Sequence, residues 1–427
     1  MTTYHRLPAE LMSGLAASTG GPAASRALAD AQFSKHLLLI ADLLRRWPGS
    51  AAEQETLMSG LEAARAAAPG AFARVLGSPM VGAWVAIVCR AVAQGRAEPA
   101  DLAHLGAVTA VTCAAAGVDV VTTAPVRDGA VSLPGLGELT VGDVGTAALA
   151  VAGGVLTVDA GRGPITVPGA NRDEGWLPVR TLWAGSGELQ VELMLDDVDP
   201  YRHGYHAPPA PRLTTAEFER WQELFTEAWG LLTEHIPYRA AEIATGLGTL
   251  VPLRHDGRSS RSATIRNVFG VFGLTRPETA ADFAVTLVHE YQHAKLSALL
   301  DLTQLSFPSG DRRYFAPWRT DPRPLAGLLQ GVYAFAGVAD TWRALRGAHG
   351  LAEEAEQAFA DARLQVDRSL ASVESSEELM PVGERFVTHL RRFTDSLLEV
   401  PVPAEAARQA ELRQQELHRR WVAANGA

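Results

Sequence analysis

The chain has 427 residues, of which 47% are hydrophobic and 20% charged, and its formal net charge is -10. This length is enough for two or three subdomains with a substantial core, and the negative charge argues against a nucleic-acid polyanion as the main partner. Two cysteines, Cys89 and Cys113, are too few for a disulfide framework and fit a reducing compartment. Without a signal-peptide pattern or a bilayer-spanning apolar run, we expect a cytoplasmic protein that does not bind a membrane.

Helical periodicity dominates the start of the chain and is clearest over residues 23–44. Residues 155–158 and 165–167 flank a glycine-rich turn and predict a hairpin. Residues 189–195 alternate apolar and polar side chains, as a half-buried strand does. These patterns of apolar and polar residues predict an N-terminal helical region over 1–104, a β-containing region over 105–211, and a mostly helical catalytic region over 212–427.

The catalytic region begins after a proline-rich connector. Thr214 and Glu217 have the spacing of a capping box and predict the start of a helix. Short apolar runs and glycines over residues 249–273 predict a pair of strands. A second capping-box spacing, at Thr275 and Glu278, predicts the start of the next helix. The predicted fold class is therefore α+β and mainly helical, with a small β region before a central helix.

The most informative motif is the HExxH pentad HEYQH at residues 289–293, which lies in that central helix. His289 and His293 are one helical turn apart on the same face, so both imidazoles can bind one divalent metal. Strands followed by such a helix are the core of a zincin-like metallopeptidase, in which Glu290 would activate a metal-bound water. The pentad therefore predicts a metal site.

The third metal ligand decides which chemistry follows. Leu296 and Leu299 stand where one peptidase class has a helix-breaking glycine and a third histidine, which excludes that class. No glutamate occurs between Glu290 and Glu353, which weakens the class that takes a glutamate from the next helix. Two histidines and one carboxylate also form the facial triad of non-haem iron oxygenases. The residues therefore permit iron as readily as zinc, with Asp301, Asp311, Asp321 and Asp340 as the available carboxylates.

Residues 312–335 form the second informative segment, in which arginines alternate with prolines and aromatic residues. Arg319 and Arg323 are suited to binding a carboxylate through a bidentate fork. A 2-oxo acid co-substrate needs such a partner for its distal carboxylate. Composition alone favours the other interpretation, a surface loop with solvated arginines.

Several segments together resemble the HExxH-motif proteins of peptide-modification gene clusters. They are HEYQH at 289–293, Trp318-Arg319, DPRP at 321–324, 327–335, HRLP at 5–8 and LDDVDPYR at 195–202, so the resemblance covers most of the chain. Proteins of this family act on ribosomally synthesised precursor peptides, alone or fused to radical-SAM maturases. Some are Fe(II)- and 2-oxoglutarate-dependent peptide β-hydroxylases. The resemblance therefore implies hydroxylation of a side-chain β-carbon in a precursor peptide.

The same resemblance implies the roles of the metal-binding residues. His289 and His293 are the two imidazole ligands of Fe(II). Asp321 is the expected third ligand, because it is a carboxylate within the distinctive motif, and Gln330 is the fallback. Glu290 would orient a ligand or bound water in a hydroxylase.

It also implies a binding pocket for the co-substrate and the peptide. Arg319 and Arg323 are the candidates for the 2-oxoglutarate carboxylate, without a choice between them. Tyr314, Trp318 and Tyr333 are the expected substrate-pocket walls, although aromatic residues near a core helix more often serve packing.

Two alternatives from other functional classes stay open. One is a zinc metallopeptidase that trims a peptide, and the other is a non-catalytic module that binds a leader peptide or a maturase. The expected partners are a ribosomally made precursor peptide and, as a further candidate, a radical-SAM maturase, with no nucleic acid and no membrane. The peptide would lie along residues 262–268 by strand addition. His203 and His206 are weaker candidates for an extra metal ligand, because their Gly/Pro-rich segment is typical of a surface loop.

Overall fold

The structure is a computed structural model that describes residues 5–167, 175–205, 207–257, 260–308 and 310–426. Helices lie at both ends of the chain and strands in the middle, which confirms the predicted mainly helical α+β class. Within the described ranges no single helix has the length and apolar character needed to cross a membrane. One pair, Pro69–Leu76 with Pro79–Ala93, meets those two criteria jointly but bends by 57° at its break.

The helices before the first strand confirm the prediction for the start of the chain. The periodic segment 23–44 lies within one long helix, and Ser50 and Glu53 cap the next helix reciprocally. Helix by helix, the bounds are α1 (Ala9–Ala16), α2 (Gly21–Arg45), α3 (Ala51–Ala67), α4 (Pro69–Leu76), α5 (Pro79–Ala93), α6 (Pro99–Ala103) and α7 (Leu105–Ala116).

The next strands form two small antiparallel sheets and part of a third. The bounds are β1 (Val120–Pro125), β2 (Ala130–Leu133), β3 (Gly137–Thr140), β4 (Thr146–Ala152), β5 (Val155–Asp159), β6 (Ile165–Val167), β7 (Trp176–Pro178), β8 (Arg180–Ser186) and β9 (Leu189–Leu195). The small sheets have the orders β1-β4-β5-β6 and β2-β3-β7. Both local predictions are confirmed. β5 and β6 are the predicted antiparallel hairpin, and β9 buries Val191, Leu193 and Leu195 on one face.

A five-stranded sheet connects this region to the catalytic region. It has the order β11-β12-β10-β9-β8, with β10 at Thr249–Pro252, β11 at Ser262–Thr264 and β12 at Val271–Leu274. The expected strand pair over 249–273 is present as β10 and β12, which are parallel, and the prediction missed a third strand, β11, which pairs antiparallel with β12. Because β8 and β9 belong to this sheet, the predicted boundary at residue 211 separates two strands from the sheet that they complete.

Helices surround the five-stranded sheet. The bounds are α8 (Thr215–His235), α9 (Pro237–Gly246), α10 (Ala280–Leu300), α11 (Leu325–Leu345), α12 (Ala352–Glu374), α13 (Pro381–Leu398) and α14 (Ala404–Asn425). Thr214 and Glu217 form the predicted capping box of α8. The predicted start of α10 is wrong, because Thr279 is the cap and accepts a hydrogen bond from the backbone N–H of Asp282 at 3.1 Å. Thr275 instead binds the strand opposite, where its hydroxyl accepts from the Arg261 N–H.

The core beneath α10 contains a buried ionic network. Lys295 donates to Glu242 at 2.8 Å, and Arg239 donates to Asp340 at 3.0 Å. Glu242 also accepts from the backbone N–H of Gly21 at 2.6 Å, which ties the start of α2 to the network. Buried charges are tolerated only when they are paired and hydrogen-bonded. The network therefore fixes α10 against α2, α9 and α11 on the side away from the histidine pair.

Candidate metal and co-substrate pocket

A pocket of about 680 Å³ opens beside α10. Its walls come from β11, from the face of α10 that carries the histidine pair, and from the segment that leads into and through the first turns of α11. The HExxH pentad and the arginine-rich segment, which are distant in sequence, therefore meet in one cavity.

His289 and His293 both line this pocket, as their spacing predicts. Their ring centroids are 4.7 Å apart and the rings are nearly perpendicular, at 86°. Burial, and secondly the neighbouring His293, hold the pKa of His289 well below its ordinary value. A neutral imidazole keeps the lone pair that a metal requires. The pair is therefore suited to binding one divalent metal near neutral pH.

Gln330 orients one of the two histidines. Its Oε1 lies 3.1 Å from Nδ1 of His293, and its Nε2 donates to the Ser297 hydroxyl at 3.2 Å. Because the amide oxygen of Gln330 faces His293, Nδ1 of His293 is the donor of this hydrogen bond and its Nε2 carries the free lone pair. Histidine ligands of metals commonly have such a partner on the second ring nitrogen. Gln330, the fallback ligand of the sequence prediction, thus holds the predicted ligand His293 in place.

Glu290 lies between the histidine face and the sheet edge. It is only 2% exposed, and its Oε1 is 3.9 Å from Nε2 of His289. The hydroxyl of Thr264 on β11 donates to the other carboxylate oxygen. A buried carboxylate requires such a donor. Thr264 therefore fixes Glu290 beside the predicted metal ligands.

Asp321 is not brought to the histidines. Its carboxylate is 46% exposed in a neighbouring hollow and accepts from Arg319 at 2.7 Å and from Arg323 at 3.2 Å. These hydrogen bonds, first that of Arg319, lower the pKa of Asp321. Among the described residues, no third His, Cys, Asp or Glu joins the pair as a metal-binding group. Since the two adjacent arginines bind this carboxylate, its role here is to hold them in position.

Arg319 and Arg323 both line the pocket, as predicted. Arg323 differs from its neighbour because its Nε is buried without a hydrogen-bond partner. Gly327 allows this guanidinium to lie against α11, since a Cβ there would be 3.0 Å from Nη2. Of the two arginines, Arg323 is the less exposed, with 32% of its side chain accessible against 45% for Arg319. Since a charge pair is stronger where less water screens it, this favours Arg323 as the main anion-binding residue.

Trp318 is the one predicted aromatic wall residue that lines the pocket. Its indole stacks on Phe335, with centroids 4.6 Å apart and an interplanar angle of 15°. Gly331 makes room for the indole, because a Cβ there would lie 2.2 Å from Cζ2. Glycines in the 327–335 segment thus serve close packing of pocket side chains on α11.

Tyr314 and Tyr333 lie outside the pocket, which corrects the prediction for them. The hydroxyl of Tyr314 pairs with the Ser376 hydroxyl at 2.8 Å. The hydroxyl of Tyr333 donates to the Leu15 carbonyl at 2.7 Å. Both rings are almost fully buried and join the main core. The resemblance implied aromatic pocket walls but did not reveal which of these residues face the cavity.

Two other parts of the chain were candidates for the site. His203 does not line the pocket, and its exposed ring lies 6.4 Å from the ring of Tyr201. His206 lies outside the described residues. Arg266 was not singled out from the sequence, yet it lines the pocket just beyond β11. The only signal for it was its place within the segment 262–268.

The pocket combines two imidazoles, a shielded carboxylate and arginine side chains. This set of groups is able to bind a divalent metal together with a small anion. Compared with known proteins, the sequence matches no family model and no curated protein.

Proposed function

We propose that this protein is an Fe(II)- and 2-oxoglutarate-dependent oxidoreductase that hydroxylates a side-chain β-carbon of a ribosomally synthesised precursor peptide. One observation carries the proposal. His289 and His293 share a pocket with Arg319 and Arg323. Co-localisation of a metal-binding pair and an anion-binding group is what a metal with a carboxylate co-substrate requires. The two free thiols, Cys89 and Cys113, agree with a reducing cytoplasm.

The residues present fit a divalent iron. His289 and His293 would hold it, and Gln330 keeps the His293 lone pair directed away from its own amide. Among the described residues no third acidic or imidazole side chain joins the pair, so the two imidazoles would be the ligands that the protein supplies. When bound, iron with 2-oxoglutarate and dioxygen supplies the oxidising power for C–H hydroxylation.

The other pocket residues would bind the co-substrate and keep water away from the histidine pair. Arg323 would donate hydrogen bonds from its guanidinium to the distal carboxylate of 2-oxoglutarate, while Asp321, which also pairs with Arg319, holds it at the pocket wall. The stacked Trp318 and Phe335 rings form an apolar wall that limits water near the histidines. These roles require only positioning and exclusion of water by the protein itself.

The experiment that tests the proposal is an anaerobic titration of the Fe(II)-loaded protein with 2-oxoglutarate, followed by visible absorption. We expect the weak charge-transfer band of an iron–2-oxo-acid chelate. His289→Ala should abolish the band, and Arg323→Gln should raise the 2-oxoglutarate concentration needed by about tenfold or more, the loss expected for a charge-assisted bond. Addition of dioxygen and a peptide substrate should then give succinate and a peptide with one added oxygen atom.

Arg312→Gln is the matched control for this titration. Arg312 is exposed, lies over the ring of Tyr314, and does not line the pocket. Its replacement should leave the band and the 2-oxoglutarate requirement unchanged. Absence of the band from a folded, iron-loaded wild-type protein would contradict the proposal.

A zinc peptidase is the second candidate, because Glu290 lies beside His289 and is held by Thr264. In that reaction the carboxylate takes a proton from the attacking water. Zinc-loaded protein should then cleave a peptide, and Glu290→Gln should abolish cleavage while zinc remains bound. Hydroxylation without cleavage separates the two candidates.

A further inference from the structure

Strand β11 is both an edge of the five-stranded sheet and a wall of the pocket. Ser262, Ala263 and Thr264, its three residues, all line the cavity that holds the histidine pair. β11 pairs with β12 on one side only, and no strand of the described residues lies on its other side. An unpaired edge is a template for a further extended chain.

The hydrogen-bond pattern indicates which backbone groups are free at this edge. The Thr275 N–H donates to the Arg261 carbonyl at 2.8 Å, so these two residues form a hydrogen-bonded pair. In an antiparallel ladder the residues alternate between facing the partner strand and facing away. The N–H and C=O groups of Ser262 and Thr264 therefore point away from β12. These groups give an incoming strand four hydrogen-bonding positions beside the pocket.

Arg266, two residues beyond β11, supplies a charge at the end of this edge. It is exposed and lines the pocket, and among the described residues it has no carboxylate or other hydrogen-bond partner. The nearby arginines differ, because Arg261 pairs with Asp256 and Arg319 and Arg323 share Asp321. A free guanidinium at the pocket of a chain with net charge -10 favours an anionic group on the ligand.

We infer that β11 and Arg266 form a docking edge for an extended peptide that carries an acidic side chain. The peptide adds to β11 as a further strand through Ser262 and Thr264, and its aspartate or glutamate pairs with Arg266. Strands in a sheet are about 4.8 Å apart, which brings the added peptide over the cavity of His289 and His293. As a statement about the substrate, the inference rests on the proposed function; as a statement about binding, it does not.

The test is peptide binding measured by fluorescence anisotropy, without iron or 2-oxoglutarate. The probes are labelled peptides of alanine and threonine, in which one aspartate is moved along the chain, each with an asparagine-matched partner. At one position or more, aspartate should bind about fivefold more tightly than asparagine, as expected for a partly exposed ion pair. Arg266→Gln should remove this preference, and Arg312→Gln should preserve it. Peptides N-methylated at every second residue should also be compared, one set at the odd positions and one at the even positions. Only the set whose N–H groups face β11 should bind more weakly.

Each outcome is informative. Equal binding of all aspartate and asparagine peptides, a preference that survives Arg266→Gln, or no binding of any peptide would overturn the docking inference, even if hydroxylation is observed. Conversely, an Arg266-dependent preference in a protein that gives no charge-transfer band with 2-oxoglutarate would support the docking edge and contradict the proposed reaction.

Discussion

The side chains of His293 and Gln330 meet at 3.1 Å between Nδ1 and Oε1, although they lie on different helices. The contact fixes the tautomer of a predicted metal ligand. It also gives Gln330 a role at the site that does not require Gln330 to be a ligand itself.

Replacement of Gln330 should therefore weaken metal binding. Gln330→Leu removes the acceptor for Nδ1 of His293, and we expect the affinity for a divalent probe such as Zn²⁺ to fall by about tenfold. Gln330→Glu keeps an acceptor and should lose less. Calorimetric titration at fixed pH measures both. Equal affinities of wild type and Gln330→Leu would show that the contact does not orient the ligand.

Thr264→Val should destabilise the protein through Glu290. The substitution keeps the shape of the side chain but leaves a buried carboxylate without its hydroxyl donor. We expect the free energy of unfolding to fall by about 1–3 kcal/mol. Thr264→Ser is the matched control, because it retains the hydroxyl. Similar losses in the two variants in urea denaturation would point to packing rather than to the hydrogen bond.

Gly331→Ala should disturb the Trp318 wall. The added methyl would lie 2.2 Å from the indole, so the ring must move away from Phe335. Overpacking of this kind costs about 1–3 kcal/mol, and we expect a changed tryptophan emission spectrum and weaker 2-oxoglutarate binding. Gly230→Ala in α8 meets no atom within 4 Å and should be neutral or stabilising by up to about 1 kcal/mol. A normal emission spectrum in Gly331→Ala would contradict this packing.

Acidification should destabilise the protein through His104. Burial, and secondly Arg127, lower the pKa of His104 from 6.5 to about 3. Between those values the unfolded chain binds a proton that the folded protein does not, so stability is lost as the pH falls below 6.5. At pH 5 this amounts to about 2 kcal/mol relative to neutral pH.

His104→Phe tests that assignment. The ring lies between Trp84 and Tyr201, at 5.5 and 5.0 Å, and its Nε2 is buried without a partner, so phenylalanine preserves the packing. The variant should lose less stability between pH 7.5 and pH 5 in thermal denaturation. His349→Gln, at an exposed position, should behave as the wild type. An unchanged pH dependence in His104→Phe would assign the effect to other groups.

Local patterns predicted elements well because they depend on neighbouring residues. The alternation in β9 and the capping box of α8 are both present in the structure. The start of α10 shows the limit of such patterns. Thr275 with Glu278 and Thr279 with Asp282 have the same spacing, and only the pairing of Thr275 with Arg261 across the sheet decides between them.

Within the site, the sequence correctly predicted which residues of one helix lie together. It did not predict which residues of different segments pair with each other. His289 and His293 meet because the helix itself places them together. Asp321 was expected to join them, but the segment folds back on itself, with Tyr314 paired to Arg323, and the adjacent arginines bind the carboxylate. The partner of each charged side chain depends on where the chain reverses direction, and the periodicity of the sequence does not indicate this.

The beginning of the chain is hydrogen-bonded to the pentad helix and to α9, which packs beside it. Arg239 donates to the Ser18 carbonyl, Gly21 donates to Glu242, and the Tyr291 hydroxyl donates to Ser25 at 2.8 Å. A fragment beginning at residue 212 would lack these acceptors and donors as well as β8 and β9. The pentad helix therefore cannot be moved into another protein as an isolated unit. A fusion or shuffled protein that contains it must also include the first thirty or so residues and the strands that complete its sheet.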